Sequence, residues 1–522
     1  MLYKRLGIVC KLALVGCSPM RINSVTIVGG GSSGWMTAAA LSKSFPDLKV
    51  SLVEDPNTPT IGVGESTLSH FNEFLHMIGL TNDSDWMPYC NATYKNGAVL
   101  KGFSDFVEKL HFPLGAFNLQ TSPDFSIWTE LNKRFPDRAP ASQVANFFLP
   151  NTYLVDANKQ TDNKEGTFPR FNFFYDVAYH LDTFAFGNYL KNYVCTNVDH
   201  IPGKVVRKGK YTIYLDDGSS VTSDLFIDCT GFKSVLSKSP RIDYNEILLN
   251  DCAYVTSIPY SDPETQLTNR TTATAVSSGW IWEIPLWDRI SIGYCYSSKF
   301  IKPYNAIHEL KSHCKKQYGV TPKEFKSVPF KSGKRLEAWV DNVLSIGLSY
   351  SFIEPLESTG LLTTHLSISY LINLLSNRDR YVNKMDIDGY NSVMSAEVDH
   401  YADFISYHYG MSTRNDTAYW REATECMSYN GSRDDIWNNL LRDGGFSTNG
   451  SNFLLAVQNG YNPLNRSSQF SIHKVDTWDS EYERIENNAK QWYNQYNQTI
   501  ERVNSLPSSY QFLKQNVYDV TV

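Results

Sequence analysis

The chain has 522 residues, room for more than one core at roughly 100–200 residues per domain. Hydrophobic residues at 42% and charged residues at 20% describe an ordinary soluble globular chain and exclude a disordered or fibrous one. A formal net charge of -6, with no long Lys/Arg run, excludes a basic field for nucleic acid.

In chain order, Lys4-Arg5 and the apolar stretch Leu6 to Cys17 resemble a secretion signal. Lys11 interrupts that stretch, and it is too short to cross a bilayer. Met20 stands directly before Arg21-Ile22-Asn23, so residues 1–20 read as an unstructured leader or alternative start. Ser24-Val25-Thr26-Ile27-Val28 then predicts a buried strand, and Ser33 to Ser44, with Ala38-Ala39-Ala40-Leu41, predicts a helix. Val50 to Val53 predicts a second strand ending at Glu54, which completes a βαβ start. Further on, Tyr211 to Leu215, the turn Asp216-Asp217-Gly218, Val221 and Leu225 to Ile227 read as a hairpin feeding another strand. Leu344-Ser345-Ile346 predicts a buried strand before a loop and a helix over about Leu361 to Leu375. From about Met385 the chain reads as mostly helical, broken by Gly-rich loops such as Gly444-Gly445.

The nine cysteines form no C-x-x-C pair and no metal-spaced cluster, so neither a zinc site nor a disulfide framework is expected. A cytoplasmic, reducing compartment and no membrane segment follow as expectations. Asn-x-Ser/Thr triplets such as Asn430-Gly431-Ser432 are taken as chance in an Asn-rich chain.

The first chemistry-bearing motif is Gly29-x-Gly31-x-x-Gly34 between strand and helix. Gly29 permits the tight turn, Gly31 lets backbone approach a pyrophosphate, and Gly34 lets helix and strand pack closely. Ser33 and Trp35 belong to the same cofactor-binding turn. Glu54 lies 20 residues beyond Gly34, where a ribose-binding carboxylate belongs. Two later pieces favour FAD over NAD: Asp224-Leu225-Phe226-Ile227-Asp228-Cys229-Thr230-Gly231, a strand running into a Gly turn, and Ile346-Gly347-Leu348 followed by Glu354-Pro355.

Trp280-Ile281-Trp282-Glu283-Ile284-Pro285 matches the W-x-W-x-I-P block of one family. Supporting matches are Gly34-Trp35-Met36, Ile61-Gly62-Val63-Gly64-Glu65-Ser66, Tyr179-His180-Leu181-Asp182 and Pro355-Leu356-Glu357-Ser358-Thr359-Gly360. On these residues the chain resembles the flavin-dependent halogenases of the tryptophan-halogenase type from about Ser24 to Gly360. The resemblance implies an α/β fold: a Rossmann-like FAD-binding module of the glutathione-reductase/monooxygenase type with β-rich insertions. Residues 21–380 would form this core, with an inserted sheet, and residues 381–522 a mainly helical region over the substrate pocket.

The resemblance further implies that reduced FAD, O₂ and a halide ion yield hypohalous acid, which travels through the protein to an aromatic substrate. Lys95 aligns with the family's catalytic lysine, either as an ammonium that polarises hypohalous acid or as an amine that forms a haloamine. Glu357 aligns with the acidic partner, and Glu354 is its structural competitor. Thr359 and Gly360 would bind halide, Leu348 and Leu361 would touch FAD, and Trp280, Trp282 and Pro285 would gate the space beside the flavin. A separate flavin reductase and a small aromatic substrate are the implied partners; a homo-oligomer stays open, as do the halide and the substrate. The rival readings are a single-component FAD aromatic hydroxylase and a non-catalytic FAD-binding protein.

Overall fold

The computed structural model describes residues 19–58, 64–115, 140–166, 170–425 and 478–519, with the single positions 137, 168, 454, 458 and 459. The Ile61-Gly62-Val63, Asn430-Gly431-Ser432 and Gly444-Gly445 segments and residues 1–18 lie outside the described residues.

Ser24–Val28, Lys49–Glu54 and Leu225–Asp228 bury their polar members Thr26, Ser51 and Asp228 along with their Val, Ile and Leu, as suits strands covered on both faces. They lie in a six-stranded sheet ordered Trp339–Val340, Val343–Ser345, Leu225–Asp228, Ser24–Val28, Lys49–Glu54 and Asp199–Pro202. All neighbours are parallel except Trp339–Val340 at one edge. The carboxylate of Asp224 accepts the backbone N–H groups of Asn23 and Ser24 at 2.9 and 3.0 Å, which sets the register of the two central strands. The Ser32–Ser44 helix begins one residue before the predicted start and buries every residue from Gly34 to Ser42. Its alanines carry no bulk, so the Thr359–Asn377 helix packs directly beside it. The predicted hairpin is present as Thr212–Leu215 and Ser220–Thr222, with Gly218 at φ 86 in the turn.

A second sheet has seven strands, ordered Lys326–Pro329, Cys252–Ile258, Ile290–Tyr296, Gly279–Pro285, Arg270–Val276, Gly97–Lys101 and Lys109–Pro113. Its pairs are antiparallel except for Arg270–Val276 with Gly97–Lys101. A small sheet of Gly64–Ser66, Ala178–Asp182 and Thr93–Lys95 packs against the seven-stranded sheet and ends on Lys95.

Beyond the Tyr381–Val382 strand the described chain carries the helices Lys384–Gly410, Ala418–Glu425, Trp478–Ser505 and Ser509–Leu513. Asn383 and Asp386 form a reciprocal capping box that fixes the start of the Lys384–Gly410 helix near the core. The expected divisions at 20/21 and 380/381 are both bridged by one short ladder, because Met20–Arg21 pairs antiparallel with Tyr381–Val382. Met20 is therefore paired within the described fold. Among the described residues no helix is long and apolar enough to cross a membrane, and no metal-ligating cluster occurs.

Candidate active site

The Gly-rich turn is tight on one side and open on the other. Gly29 has φ 114, and a Cβ there would lie 2.3 Å from the Cys229 carbonyl oxygen. At Gly34 a Cβ would lie 1.9 Å from the carbonyl oxygen of Gly29, whereas at Gly31 it would meet nothing within 4 Å. Gly31 starts the Ser32–Ser44 helix without a side-chain cap, and its first turn holds no acidic residue. Free N–H groups and the positive end of the helix dipole thus face the open side, which suits a diphosphate.

Glu54 ends its strand against Gly30, where an added Cβ would lie 2.3 Å from Glu54 Oε1. Its other oxygen accepts Lys191 Nζ at 3.1 Å and pairs with His200 Nε2 at 2.9 Å. The buried indole of Trp35 packs beside the same two residues, 5.5 Å from the His200 ring and 5.4 Å from Lys191 Nζ. The ring therefore props up the carboxylate cluster. Gly347, at φ 69, abuts Ser33, so the third glycine segment meets the first. Leu348 follows it half-buried, and Leu361 is buried one turn into the next helix. These residues fit a dinucleotide cofactor.

Lys95 lies deep inside the protein at 0% exposure. Its Nζ donates to the Thr67 carbonyl at 2.9 Å and to Ser358 Oγ at 3.0 Å, and Ser358 in turn donates to Ser66 Oγ at 2.9 Å. Burial pulls the amine down to about 8, opposed by the negative field of Glu357. His180, on the adjacent strand, is held by Thr93 and Thr271, and burial followed by the field of Lys95 keeps it well below its usual range. The small sheet thus presents one buried amine beside one neutral imidazole.

Glu357 is buried, and its Oε1 pairs with His408 Nε2 at 2.9 Å. Ser358 follows in the left-handed region at φ 62 and starts the Thr359–Asn377 helix without a side-chain cap. Thr359 Oγ1 is buried with no hydrogen-bond partner, and the Cβ position of Gly360 lies 3.7 Å from Glu65 Oε2. Burial raises Glu65 to about 7, which favours its neutral form on the acid side. Uncapped amides at this helix start can receive an anion.

Trp280 and Trp282 project from the same face of Gly279–Pro285, with ring centroids 5.9 Å apart. Trp282 lies flat over Gly293, where a Cβ would sit 2.0 Å from the indole. The Pro285 carbonyl accepts the Thr93 hydroxyl at 2.6 Å, which ties this strand to the one bearing Lys95. Glu354 is also buried, accepts the Tyr409 hydroxyl, and is raised to about 7 by burial. Glu354 is thus engaged by Tyr409, while the field of Glu357 reaches Lys95.

The sequence from residue 24 to 453 matches the family model described as tryptophan halogenase. The chain belongs to the tryptophan halogenase family. It is an enzyme, a flavin-dependent halogenase. Similar to it is the 7-chloro-L-tryptophan 6-halogenase KtzR of Kutzneria sp. (strain 744), 30% identical over 455 residues, covering 80% of this chain and 86% of that enzyme. Among solved structures, VirX1 in its apo form is 40% identical with a TM-score of 0.85, covering 95% of this halogenase and all of that chain. BrvH, a flavin-dependent halogenase from Brevundimonas sp. BAL3, is 26% identical with a TM-score of 0.80, covering 95% and 99%. Likeness to the tryptophan halogenases supports FAD as cofactor and a halide as co-substrate.

Three contributors at the halogenase site are not assigned that role by the sequence. Ser358 and the Thr67 carbonyl hold Lys95, and His408 holds Glu357. Ser358 was visible as part of a motif but not as a partner of Lys95. The two others lie on segments without any motif.

Proposed function

We propose that this halogenase joins a halogen to an electron-rich aromatic ring through Lys95 and Glu357, with reduced FAD held by Gly29, Gly31, Ser33, Gly34, Glu54, Leu348 and Leu361. The observation that carries the reading is the buried amine of Lys95, held by Ser358 immediately after Glu357. The βαβ start and the largely parallel sheet support a Rossmann-like module of the glutathione-reductase/monooxygenase type. Bound reduced flavin, with O₂ and halide, supplies the oxidised halogen equivalent. Everything else falls to the chain.

The uncapped amides at Thr359 and Gly360 would hold the halide, and Trp280, Trp282 and Pro285 would wall the flavin side from substrate. Two of the three N–H groups of a Lys95 ammonium are engaged by Thr67 and Ser358, leaving one to bind hypohalous acid. As the O–X bond breaks and the C–X bond forms, Lys95 gives that proton to the departing hydroxide, releasing water. Glu357 takes the ring proton, restores aromaticity, and returns the proton to Lys95. This route uses the charged amine, the form that prevails below about pH 8. Residues 21–380 would make the first chamber, and residues 381–522 would cover the second. A separate flavin reductase and a cytoplasmic setting complete the reading.

The test is an assay with FAD, a flavin reductase and chloride, bromide or iodide against a panel of tryptophan, indoles, phenols and pyrroles. Mass spectrometry is expected to show a halogenated product that Lys95→Met and Glu357→Gln lose while flavin oxidation continues. Hydroxylated but never halogenated product would overturn the reading in favour of an aromatic hydroxylase.

A further inference from the structure

His408 has a completely buried side chain on the Lys384–Gly410 helix. Its ring is packed between Phe112 and Phe404, with centroids 5.2 and 4.9 Å away, so it has little freedom to turn. Nδ1 lies 2.9 Å from the Phe404 carbonyl oxygen, and Nε2 lies 2.9 Å from Glu357 Oε1. Among the described residues, no other group is hydrogen-bonded to the Glu357 side chain.

Both contacts constrain where protons can be. A carbonyl oxygen only accepts, so Nδ1 carries a hydrogen. Nε2 against an ionised carboxylate also needs a hydrogen between them, because two lone pairs at that distance repel. The pair therefore contains one proton more than a neutral imidazole beside a carboxylate. It is either an imidazolium with a carboxylate or an imidazole with a carboxylic acid. The same carboxylate acts electrostatically on Lys95. Tyr409, the next residue of the helix, donates to Glu354, so the second buried carboxyl is occupied elsewhere.

We propose that His408 is a positioning residue for Glu357, holding the shared proton as an imidazolium so that one carboxylate oxygen is anchored and the other is free to take the proton of the substrate ring. The proposal rests on the reading of Glu357 as the base. In the step itself the ring C–H bond breaks, its electron pair returns to the ring, and the proton passes to the free oxygen of Glu357. His408 keeps hydrogens on both nitrogens throughout. Without this partner Glu357 would have no hydrogen bond among the described residues to hold its carboxyl toward the ring.

The test has a spectroscopic and a kinetic arm. In the full-length enzyme labelled with ¹⁵N-histidine, the His408 signals are assigned by their loss in His408→Gln. Both nitrogens are expected to report N–H at pH 7 in the wild type, and a neutral Nδ1–H ring in Glu357→Gln. A neutral Nε2–H ring in the wild type would overturn the proposal. In the kinetic arm, bromination of the best aromatic from the panel is followed against pH with bromide, FAD and reductase. His408→Gln keeps a donor to Glu357 but no charge, so the acid limb of its profile should move to higher pH by at least about one unit. His408→Phe should lose bromination at every pH while flavin oxidation persists. A His408→Gln rate that is lowered uniformly, with the acid limb unmoved, would mean that the histidine is merely structural. A Glu357→Gln variant that brominates at the wild-type rate would instead overturn the underlying assignment of Glu357.

Discussion

Replacing Lys95 by Met should make the protein more stable and catalytically dead. The amine falls from 10.5 to about 8 in the folded protein because burial disfavours its charge. That difference of about 2.5 units corresponds to about 3 kcal/mol of destabilisation by the ammonium. The sign follows from proton counting. Between about pH 8 and 10.5 the unfolded chain binds the proton and the folded one does not, so stability rises with pH across this window. Below about pH 8 the whole penalty is present. Met keeps the length of the side chain without charge, but it leaves the Thr67 carbonyl without its Lys95 donor, at a cost of about 1–3 kcal/mol. The net gain at pH 7 is therefore expected between zero and about 2 kcal/mol. Its advantage over the wild type should shrink as pH approaches 10.5. Urea midpoints at pH 7 and pH 10, with m-values compared, measure this. Product per flavin oxidised, read by mass spectrometry, should fall at least about 100-fold, as for loss of a charge-stabilising donor. A variant that is clearly less stable than the wild type at pH 7, or that still halogenates at the wild-type rate, would refute the reasoning.

For the unmodified enzyme, product per flavin oxidised should fall as pH rises through about 8, when the Lys95 ammonium is lost; a rise across the same range would assign the neutral amine as haloamine former. Glu354→Gln should stabilise the protein by up to about 3 kcal/mol at pH 8 and not at pH 4, because burial raises this carboxyl from 4.5 to about 7 and stability is lost as pH climbs between those values. Thermal melts of the variant and wild type at the two pH values check it. Gly34→Ala places a methyl 1.9 Å from the Gly29 carbonyl oxygen, so FAD affinity by fluorescence titration should drop at least about tenfold. Ser358→Gly removes a strained left-handed residue, worth about 1 kcal/mol, but also the hydroxyl that holds Lys95. Its melting temperature should stay near the wild type while halogenation falls.

What the sequence revealed and what it hid divide along a physical line. Gly29 and Gly34 are legible because a Cβ would strike backbone there, Gly31 because the open side it leaves suits a close-approaching anion, and Trp280 and Trp282 because strand alternation places both on one face. Glu357 and Lys95 were legible only through likeness to a family. The bond from Lys95 to Ser358 spans 263 residues, and that from His408 to Glu357 spans 51. Contacts made by the packing of one element on another leave no spacing to read. Trp35 shows a subtler limit. It lies in the helix that follows the Gly-rich turn, and its ring packs against the Glu54–Lys191–His200 cluster.

The glycine cradle also has a consequence in time, for a chain synthesised from its N-terminus. The wall behind Gly29 is the carbonyl of Cys229, and the floor beneath Ser33 is Gly347. The strand Ser24–Val28 gains its second neighbour only with Leu225–Asp228, and Met20 finds its partner only at Val382. A ribosome must therefore release well over half of the polypeptide before residues 20–34 can adopt their final shape. Loop closures this long are slow, and the apolar strand edges stay exposed meanwhile. Cofactor affinity should accordingly arrive late and abruptly during synthesis, once residue 347 has cleared the exit tunnel.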